Sequence, residues 1–147
     1  MRKWPIVVLS VLGCGILHSY PTALFSSAHA ATATKKPYTV VNGRGDGHII
    51  NGWLRYGESC MRCHGEDGAG SSYAPDLTQA LKNLTHDQVL EIIINGKQDV
   101  SNSQDLVMPA FGTNPDVVNN IEDIYAYLKA RSDGALGRGR PKRIPGK

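Results

Sequence analysis

Several features that define common protein classes are absent from this sequence. The longest apolar run, residues 4–17, is shorter than the ~20 residues that a membrane-spanning helix needs. No internal repeat is found, and no βαβ pattern surrounds the cysteines. Of the 3 cysteines, only Cys60 and Cys63 follow residue 30, so no further disulfide can form beyond that point. These absences favour one small domain that does not span a membrane.

The first thirty residues have the order of a secretory signal peptide. Arg2 and Lys3 give a positive start, the apolar run follows, and residues 28–30 (Ala-His-Ala) form an A-x-A cleavage site. The sequence therefore predicts cleavage after residue 30 and a periplasmic, bacterial location, with no transmembrane segment in the mature chain. Two alternatives stay open: retention of the leader as an anchor, and lipoprotein-type cleavage before Cys14.

Charge is divided unevenly beyond the leader. Residues 31–128 contain seven basic and twelve acidic side chains, whereas residues 129–147 contain seven basic ones and a single acid, Asp133. A basic terminus can bind nucleic acid, but export makes nucleic acid an unsuitable partner. The remaining contacts are an acidic patch of a partner, a membrane surface or the acidic part of the chain itself. A mobile, solvated tail is the alternative.

Apolar and turn residues predict a small all-α domain with long loops. Residues 38–41 are expected to be extended and to end in an Asn42-Gly43 turn. A first helix is predicted over residues 51–59 and a short one over 77–81. We divide the chain into a signal peptide, an N-terminal extension, a helical domain and a basic irregular tail, with bounds 1–30, 31–50, 51–131 and 132–147.

Two further helices have well-marked ends. One begins with a capping box at Thr85 and ends at Gly96. The other is capped by Asn114 and ends at Gly134. The segment between them is expected to be a loop. Because so small a chain buries only a modest core, loops of this kind need another group to hold them.

Residues 60–64 (Cys-Met-Arg-Cys-His) match C-x-x-C-H, the attachment sequence of c-type haem. Cys60 and Cys63 can form thioethers with the two vinyl groups of one porphyrin, and His64 is then held beneath the iron. Covalent attachment keeps the haem in a domain too small to surround it. The motif therefore predicts one covalent haem c with His64 as an axial ligand.

Three other interpretations of the motif compete with haem attachment. A Cys60–Cys63 disulfide is geometrically possible in an exported protein. A thioredoxin-like pair needs a βαβ context that the chain lacks. A zinc site would need further ligands, and only His48 and His86 are left to supply them. Haem attachment fits the sequence context better than any of these.

A second axial ligand is expected from the methionines. Only two follow residue 30, and Met61 lies inside the attachment motif, on the His64 side of the haem. Met108 lies between the last two predicted helices, and a Met/His pair is typical of electron-transfer cytochromes c. We predict His64 and Met108 as the iron ligands. His48 and His86 are the alternatives to Met108, and core packing is the alternative role of Met108 itself.

With these residues, the chain resembles class I cytochromes c over most of its mature length. Gly52 and Tyr56 match the small and aromatic positions of that family's N-terminal helix. Residues 127–128 (Tyr-Leu) match the aromatic-aliphatic pair of the C-terminal helix, which crosses the first one in the family. Residues 74–77 (Ala-Pro-Asp-Leu) resemble its Pro-x-Leu segment. The resemblance implies that the Pro75 carbonyl accepts a hydrogen bond from the haem-ligating histidine.

Three segments are similar to a narrower group, the methanol-metabolism-related cytochromes c, which serve PQQ-dependent alcohol dehydrogenases. These segments are residues 107–112, 123–131 and 133–141. The similarity implies a periplasmic electron carrier rather than an enzyme. It would accept electrons from a quinoprotein alcohol or methanol dehydrogenase and pass them along a respiratory chain, to a terminal oxidase or another cytochrome. The alternatives are a haem-bearing subunit of a larger complex and a haem sensor or peroxidase-like protein.

Overall fold

The structure, a computed structural model, describes residues 35–100 and 105–146. The predicted signal peptide, its cleavage site after Ala30 and the alternative site at Cys14 lie outside the described residues. Within the described part, no helix combines the length and apolar character needed to cross a bilayer. The bounds of the four-part division stay predictions.

A two-residue turn joins the first pair of strands, as the Asn-Gly sequence predicts. β1 (Val40–Val41) and β2 (Arg44–Gly45) pair antiparallel. Asn42 and Gly43 have φ angles of +49° and +71°. A type I′ hairpin turn requires this pair of left-handed conformations. The extended segment and its turn are therefore confirmed.

Helix α1 (Gly47–Ser59) begins four residues before its predicted start. The Asp46 carboxylate caps it by accepting a hydrogen bond from the Ile49 amide at 3.1 Å. Aspartate is among the strongest N-cap residues, whereas glycine is a weak helix former. The predicted start at residue 51 was wrong because the Asp46 cap starts the helix at Gly47 despite the low helix propensity of glycine.

Three helices and a 3₁₀ turn follow: α2 (Met61–His64), the 3₁₀ turn (Glu66–Gly68), α3 (Leu77–Ala80) and α4 (His86–Asn95). The capping box at the start of α4 is present. Thr85 Oγ1 accepts from the Gln88 amide at 3.3 Å, and Gln88 Oε1 accepts from the Thr85 amide at 2.9 Å. Gly96 follows α4 with a φ of +74°, which a C-terminal glycine adopts without strain. The short helix and both ends of the longer one are confirmed.

The segment after α4, predicted as a loop, contains an antiparallel pair of strands. β3 (Lys97–Val100) pairs with β4 (Asp105–Met108), and Lys97 lies opposite Met108. The prediction was wrong because β3 (Lys-Gln-Asp-Val) has no apolar alternation to mark it. Pairing with β4 gives its backbone the hydrogen bonds that the pattern does not reveal.

The predicted final helix is divided into α5 (Pro115–Val118) and α6 (Ile121–Ser132). Asn120, at the break, donates from Nδ2 to the Asp116 carbonyl at 2.9 Å and accepts from Asn51 Nδ2 at 2.7 Å. Asparagine side chains compete in this way with the helical hydrogen bonds of the backbone. Gly134, with a φ of +71°, follows the end of α6 as predicted.

Helices α1 and α6 cross with their backbones in close approach at Gly52. A Cβ atom on Gly52 would lie 1.9 Å from the Asp123 carbonyl oxygen, so no larger residue fits. One turn further along, the rings of Tyr56 and Tyr127 pack at 5.6 Å between centroids, and both side chains are fully buried. The crossing implied by the class I resemblance is therefore present, and the fold is mostly helical with short strands, as the all-α prediction expected.

The C-terminal segment is held against the helical domain rather than projecting from it. Leu136 is 3 % exposed, and its carbonyl accepts from Arg131 Nη1 at 2.8 Å. β5 (Lys142–Arg143) pairs parallel with β2. Residues 135–146 are thus anchored at both ends.

Candidate haem-binding site

The attachment motif begins where α1 ends. The Cys60 amide donates to the Tyr56 carbonyl at 2.9 Å, as the last residue of a helix does. The amides of Cys63 and His64 both donate to the Cys60 carbonyl, at 3.2 and 3.0 Å. Residues three and four apart on a helical turn project to the same side. The two thiols and the imidazole therefore share one face of the chain.

The His64 ring is oriented by a carbonyl of a later loop. Its Nδ1 lies 3.1 Å from the Pro75 carbonyl oxygen, and the residue is only 7 % exposed. A carbonyl can only accept, so Nδ1 carries a proton, and in the neutral ring the lone pair is then on Nε2. This is how metal-binding histidines are usually held. The structure thus contains the hydrogen bond that the resemblance implied, and the role of Pro75 in tuning a ligand stays a prediction.

The acceptor carbonyl is itself fixed by the start of α3. Asp76, next in the chain, accepts from the Thr78 amide at 2.7 Å and caps that helix. Hydrogen bonding from Thr78 holds the pKa of the Asp76 carboxyl below its ordinary value, so the cap is charged at neutral pH. Pro75 is therefore followed by a stable helix start rather than by free loop.

Three successive backbone carbonyls at the end of the motif are satisfied by side chains and backbone around them: those of Cys63, His64 and Gly65. In that order they accept from the Ser71 hydroxyl, the Gly70 amide at 2.8 Å and the Tyr56 hydroxyl. Gly70 has a φ of +84°, and a Cβ there would lie 2.7 Å from the Asp76 amide nitrogen. The loop that carries Pro75 is thus packed directly on the motif.

The two cysteines are unpaired, and Cys60 lacks the lowered pKa of a nucleophilic redox cysteine. Both are unpaired, Cys60 half-buried and Cys63 exposed, so the alternative disulfide is not formed. Burial raises the pKa of the Cys60 thiol to about 11, and the neighbouring Cys63 adds to the shift. Nucleophilic redox cysteines need a lowered pKa. Among the described residues, no group of three His, Cys, Asp or Glu side chains is arranged to hold a metal ion, as the zinc alternative would need.

Met108 is the last residue of β4, opposite Lys97, and is half-buried beside the hydrophobic core. The backbone of Gly96 lies against it, because a Cβ on Gly96 would be 2.6 Å from the Met108 carbonyl oxygen. The sequence placed Met108 in a loop, whereas the structure places it at the end of a strand. Its role as the second axial ligand stays a prediction.

Two hydrogen bonds tie the residues after Met108 to the end of α4. The Phe111 amide donates to the Ile93 carbonyl and the Gly112 amide to the Ile94 carbonyl, each at 3.0 Å. These carbonyls belong to the last turn of α4, where a helix leaves its acceptors unsatisfied. The segment that carries Met108 is therefore positioned by α4.

The two histidines weighed against Met108 are engaged elsewhere. His48 Nδ1 lies 2.7 Å from an Asp123 carboxylate oxygen, and its side chain is 76 % exposed. His86 has both ring nitrogens within 2.9 Å of carboxylates, those of Asp87 and Glu122. A histidine needs a free ring nitrogen to bind iron, and His86 has none. His48 keeps Nε2 free, but it lies at the start of α1, twelve positions before Cys60, and is held there by Asp123. The geometry therefore favours Met108 over both.

Asp67 is a residue beside the site, with a structural role, that the sequence analysis missed. It is 3 % exposed, its φ is +62°, and both carboxylate oxygens lie 3.0 Å from the Gly139 amide. Arg138 Nε is 3.4 Å away, and Arg131 Nε donates to the Asp67 carbonyl at 3.3 Å. Asp67 thus joins the loop after the motif to the C-terminal segment. An aspartate followed by a glycine has the sequence signature of an ordinary turn, so no signal marked it.

The donor set fits a covalently attached haem. Two unpaired thiols, Cys60 and Cys63, and a histidine with a free Nε2 lie on one face, and the thiols are spaced as the two attachment points of one porphyrin require. The orientation of His64 is set by the protein itself, through Pro75.

Comparisons with known proteins agree with this geometry. The model of the family described as cytochrome c oxidase, cbb3-type, subunit III matches residues 48–128. Cytochrome c-553I of Paracoccus denitrificans is 50% identical over 99 residues, which are 67% of this chain but only 44% of that protein. Cytochrome c-555 of Methylococcus capsulatus (strain ATCC 33009 / NCIMB 11132 / Bath) is 36% identical over 118 residues, 80% of this chain and 84% of that protein.

A solved structure is also similar. The c-type cytochrome XoxG from Methylobacterium extorquens AM1 superposes with a TM-score of 0.63 at 41% identity, covering 71% of this chain and 62% of that one. The chain thus spans less than two thirds of XoxG and less than half of cytochrome c-553I. The match to the family model and the similarity over most of cytochrome c-555 show the family. The chain belongs to this family of c-type cytochromes, whose members carry covalent haem c, and its single attachment motif gives it one haem.

Proposed function

We propose that this chain is a periplasmic electron carrier. It accepts single electrons from a quinoprotein (PQQ) alcohol dehydrogenase, a methanol dehydrogenase in particular, and passes them to a terminal oxidase or another cytochrome. The observation that carries the proposal is the fixed orientation of His64, whose Nδ1 is held 3.1 Å from the Pro75 carbonyl beside two unpaired cysteines. A bound haem c supplies reversible one-electron chemistry at its iron.

The residues around the motif support a carrier rather than an enzyme. We assign Cys60 and Cys63 to covalent attachment, and His64 and Met108 to the two axial positions. With both positions filled by side chains, no place is left for a substrate on the iron, so the protein's work is binding, orientation and electrostatics. Thioether ligation also favours a higher reduction potential, which suits a carrier late in a respiratory chain.

The donor is proposed from similarity. Three segments resemble the methanol-metabolism-related cytochromes c, and the chain is 41% identical to XoxG of Methylobacterium extorquens AM1 over the superposed part. The A-x-A site at residues 28–30 supports export, which would place the chain in the compartment where such dehydrogenases act.

The donor assignment is tested by mixing the oxidised, purified cytochrome with the quinoprotein alcohol dehydrogenase of the same organism and an alcohol. We expect fast, saturable reduction of the haem, followed by the change in its absorption spectrum. If the haem stays oxidised while dithionite reduces it normally, the dehydrogenase is not the donor, and the carrier function keeps a different source of electrons.

One observation favours a second candidate. The matching family model is described as a subunit of an oxidase. The second candidate is therefore a haem-bearing subunit of a larger complex. Size-exclusion chromatography of a native periplasmic extract, followed at the haem absorption, separates the two. A free carrier elutes as a single small domain, whereas co-elution with a much larger complex would replace the carrier proposal.

A further inference from the structure

The C-terminal segment forms a fixed basic face together with β2. We define the basic face as Arg44, Arg140, Lys142 and Arg143, all of them exposed. The pairing of β2 with β5 places Arg44 directly opposite Lys142. Like charges opposite one another on neighbouring strands destabilise a sheet. Among the described residues, Arg44, Arg140 and Lys142 form no ion pair with a carboxylate that would offset this repulsion.

The basic face is anchored rather than mobile. Just before it, Asp67 accepts from the Gly139 amide at 3.0 Å and lies 3.4 Å from Arg138 Nε. Leu136 is buried at 3 % exposure. A fold that holds Arg44, Arg140 and Lys142 on a fixed scaffold without a carboxylate partner loses stability, so a function outside folding is the reasonable cause.

The face is concave and has an apolar floor. A depression of about 540 Å³ is lined by Ile50, Arg140, Pro141, Lys142 and Arg143. The Arg140 guanidinium lies 5.3 Å from the centroid of the Trp53 ring, a cation–π distance. The apolar side chains of this surface, Ile50, Trp53 and Pro141, are half-buried.

Arg140 of the basic face lies beside Trp53, in the middle of α1, whereas Arg143 lies near Gly47, at the start of that helix. Trp53 and Cys60 are seven residues apart along α1, and Cys60 caps that helix. Seven residues make two helical turns, so both lie on the same side of α1, about 10 Å apart along its axis. A partner seated on Arg140 would therefore approach the cysteine that anchors the haem.

We propose that the basic face docks an acidic surface of the protein that exchanges electrons with this chain. The inference rests on the proposed carrier function and adds the site and chemistry of its partner. Three of the four cations are arginines, whose planar guanidinium suits carboxylates. A membrane surface is the poorer occupant, because interfacial binding also needs apolar side chains that can insert. Charge complementarity of this kind mainly raises the association rate.

The test compares two variants with the same change of charge, Lys142→Glu on the basic face and Lys82→Glu away from it. Lys82 follows α3, and its amine donates only to the Gln79 side chain. At low ionic strength we expect Lys142→Glu to slow reduction by the dehydrogenase roughly tenfold and Lys82→Glu to change it less than twofold. At about 0.5 M salt, where charges are screened, the difference should disappear. Equal rates for both variants at low salt would overturn the docking surface and leave the carrier function intact.

A binding measurement keeps the inference separate from the choice of donor. Decaglutamate peptide is titrated into the haem-loaded protein, and amide chemical shifts are followed by NMR. We expect the largest shifts at residues 44, 139, 140, 142 and 143, and their loss in Lys142→Glu. Shifts spread over the whole protein, or a partition onto phosphatidylglycerol vesicles without any peptide response, would overturn the proposal, the latter in favour of a membrane. If the peptide binds as expected but the dehydrogenase fails to reduce the wild-type protein, only the donor assignment fails.

Discussion

The two sides of the candidate haem site are built in different ways. The side that presents His64 is made by residues close together in the chain, and its backbone carbonyls are satisfied by the Gly70 amide and the Ser71 hydroxyl. The side that presents Met108 belongs to a strand end, and it is tied to the body of the protein through Phe111 and the last turn of α4. We call these the His64 side and the Met108 side.

The difference shows which side depends on the rest of the fold. On the His64 side, eleven residues separate His64 from Pro75, and the intervening loop folds back on the motif. On the Met108 side, the position of the thioether depends on α4, on β3 and on the packing of α4 against α6. Local sequence therefore determines the first side, and tertiary packing determines the second. Each prediction below separates the two.

The largest effect on the free energy of unfolding is expected from Gly70→Ala. At φ +84° an alanine is strained, and its Cβ would lie 2.7 Å from the Asp76 amide nitrogen, displacing the backbone next to Pro75. We expect a loss of about 2–5 kcal/mol from left-handed strain and overpacking. Guanidinium unfolding of the haem-loaded protein measures the loss.

Gly134→Ala is the matched control for that substitution. Its φ is +71°, but nothing lies within 4 Å of a Cβ at this position. It should cost only the left-handed strain, about 1–2 kcal/mol. Equal losses for the two variants would show that the packing of the loop on the motif contributes nothing to the His64 side.

On the Met108 side, Met108→Ala removes the thioether that is the predicted ligand. If the thioether is the sixth ligand, the ferric absorption spectrum should change toward high spin and the reduction potential should fall. Loss of the half-buried side chain should also cost about 1–3 kcal/mol of unfolding free energy. Met61→Ala, in the attachment motif, is the control and should keep the low-spin spectrum. An unchanged spectrum in Met108→Ala would reject the ligand assignment and reopen the sensor or peroxidase-like alternatives.

The same division between local and tertiary determinants explains what the sequence could predict. The haem motif, the capping box at Thr85 and the Asn42-Gly43 turn are short-range patterns with a physical mechanism, and each was found in the structure at its predicted position. The crossing of α1 and α6 followed from a family resemblance rather than from the pattern of residues. The sequence shows a glycine at position 52 but not its closeness to α6. Only that closeness explains why no larger residue fits there.

The features that were missed depend on partners distant in sequence. The strand that ends at Met108 has a polar partner strand, the break before α6 is fixed by Asn51 from another helix, and Asp67 is recognisable only beside Gly139. The sequence predicted an irregular tail for the C-terminal segment because glycine, proline and basic residues dominate it. Its pairing with β2 joins the two ends of the domain, which no local pattern reveals.

A smaller effect on the His64 side is expected from Ser71→Ala. The Ser71 hydroxyl donates to the Cys63 carbonyl and accepts from the Tyr73 amide at 3.0 Å, so the substitution leaves both groups without a partner. Because the site is exposed, water can replace part of the interaction, and we expect a loss of about 1 kcal/mol. Faster hydrogen exchange of the Tyr73 amide should accompany the loss. Ser72→Ala is the adjacent control, and a loss of the same size there would remove Ser71 from the account of the loop.

The smallest effect concerns pH and the Met108 side. His86, at the start of α4, lies between Asp87 and Glu122 of α6, with its ring edge-on to Tyr125. Hydrogen bonds from its ring to Glu122, and then to Asp87, raise the pKa of His86 above its ordinary value of 6.5. A raised pKa means that the tie between α4 and α6 contributes fully below pH 6.5 and is lost as pH rises through the folded-state pKa. For so exposed a pair the contribution is about 0.2–1 kcal/mol.

Substituting Glu122→Gln tests whether that tie reaches the Met108 side. The variant should flatten the fall in unfolding free energy above pH 6.5, whereas Glu91→Gln, an exposed acid on α4, should leave it unchanged. Because α4 holds the segment after Met108, raising the pH of the wild-type protein should speed hydrogen exchange of the Phe111 and Gly112 amides more than that of Gly70, after correction for the intrinsic exchange rate. If the exchange of the Gly70 amide responds as strongly as that of the other two, the two sides of the site are not independent. They then open together as one cooperative unit around the haem.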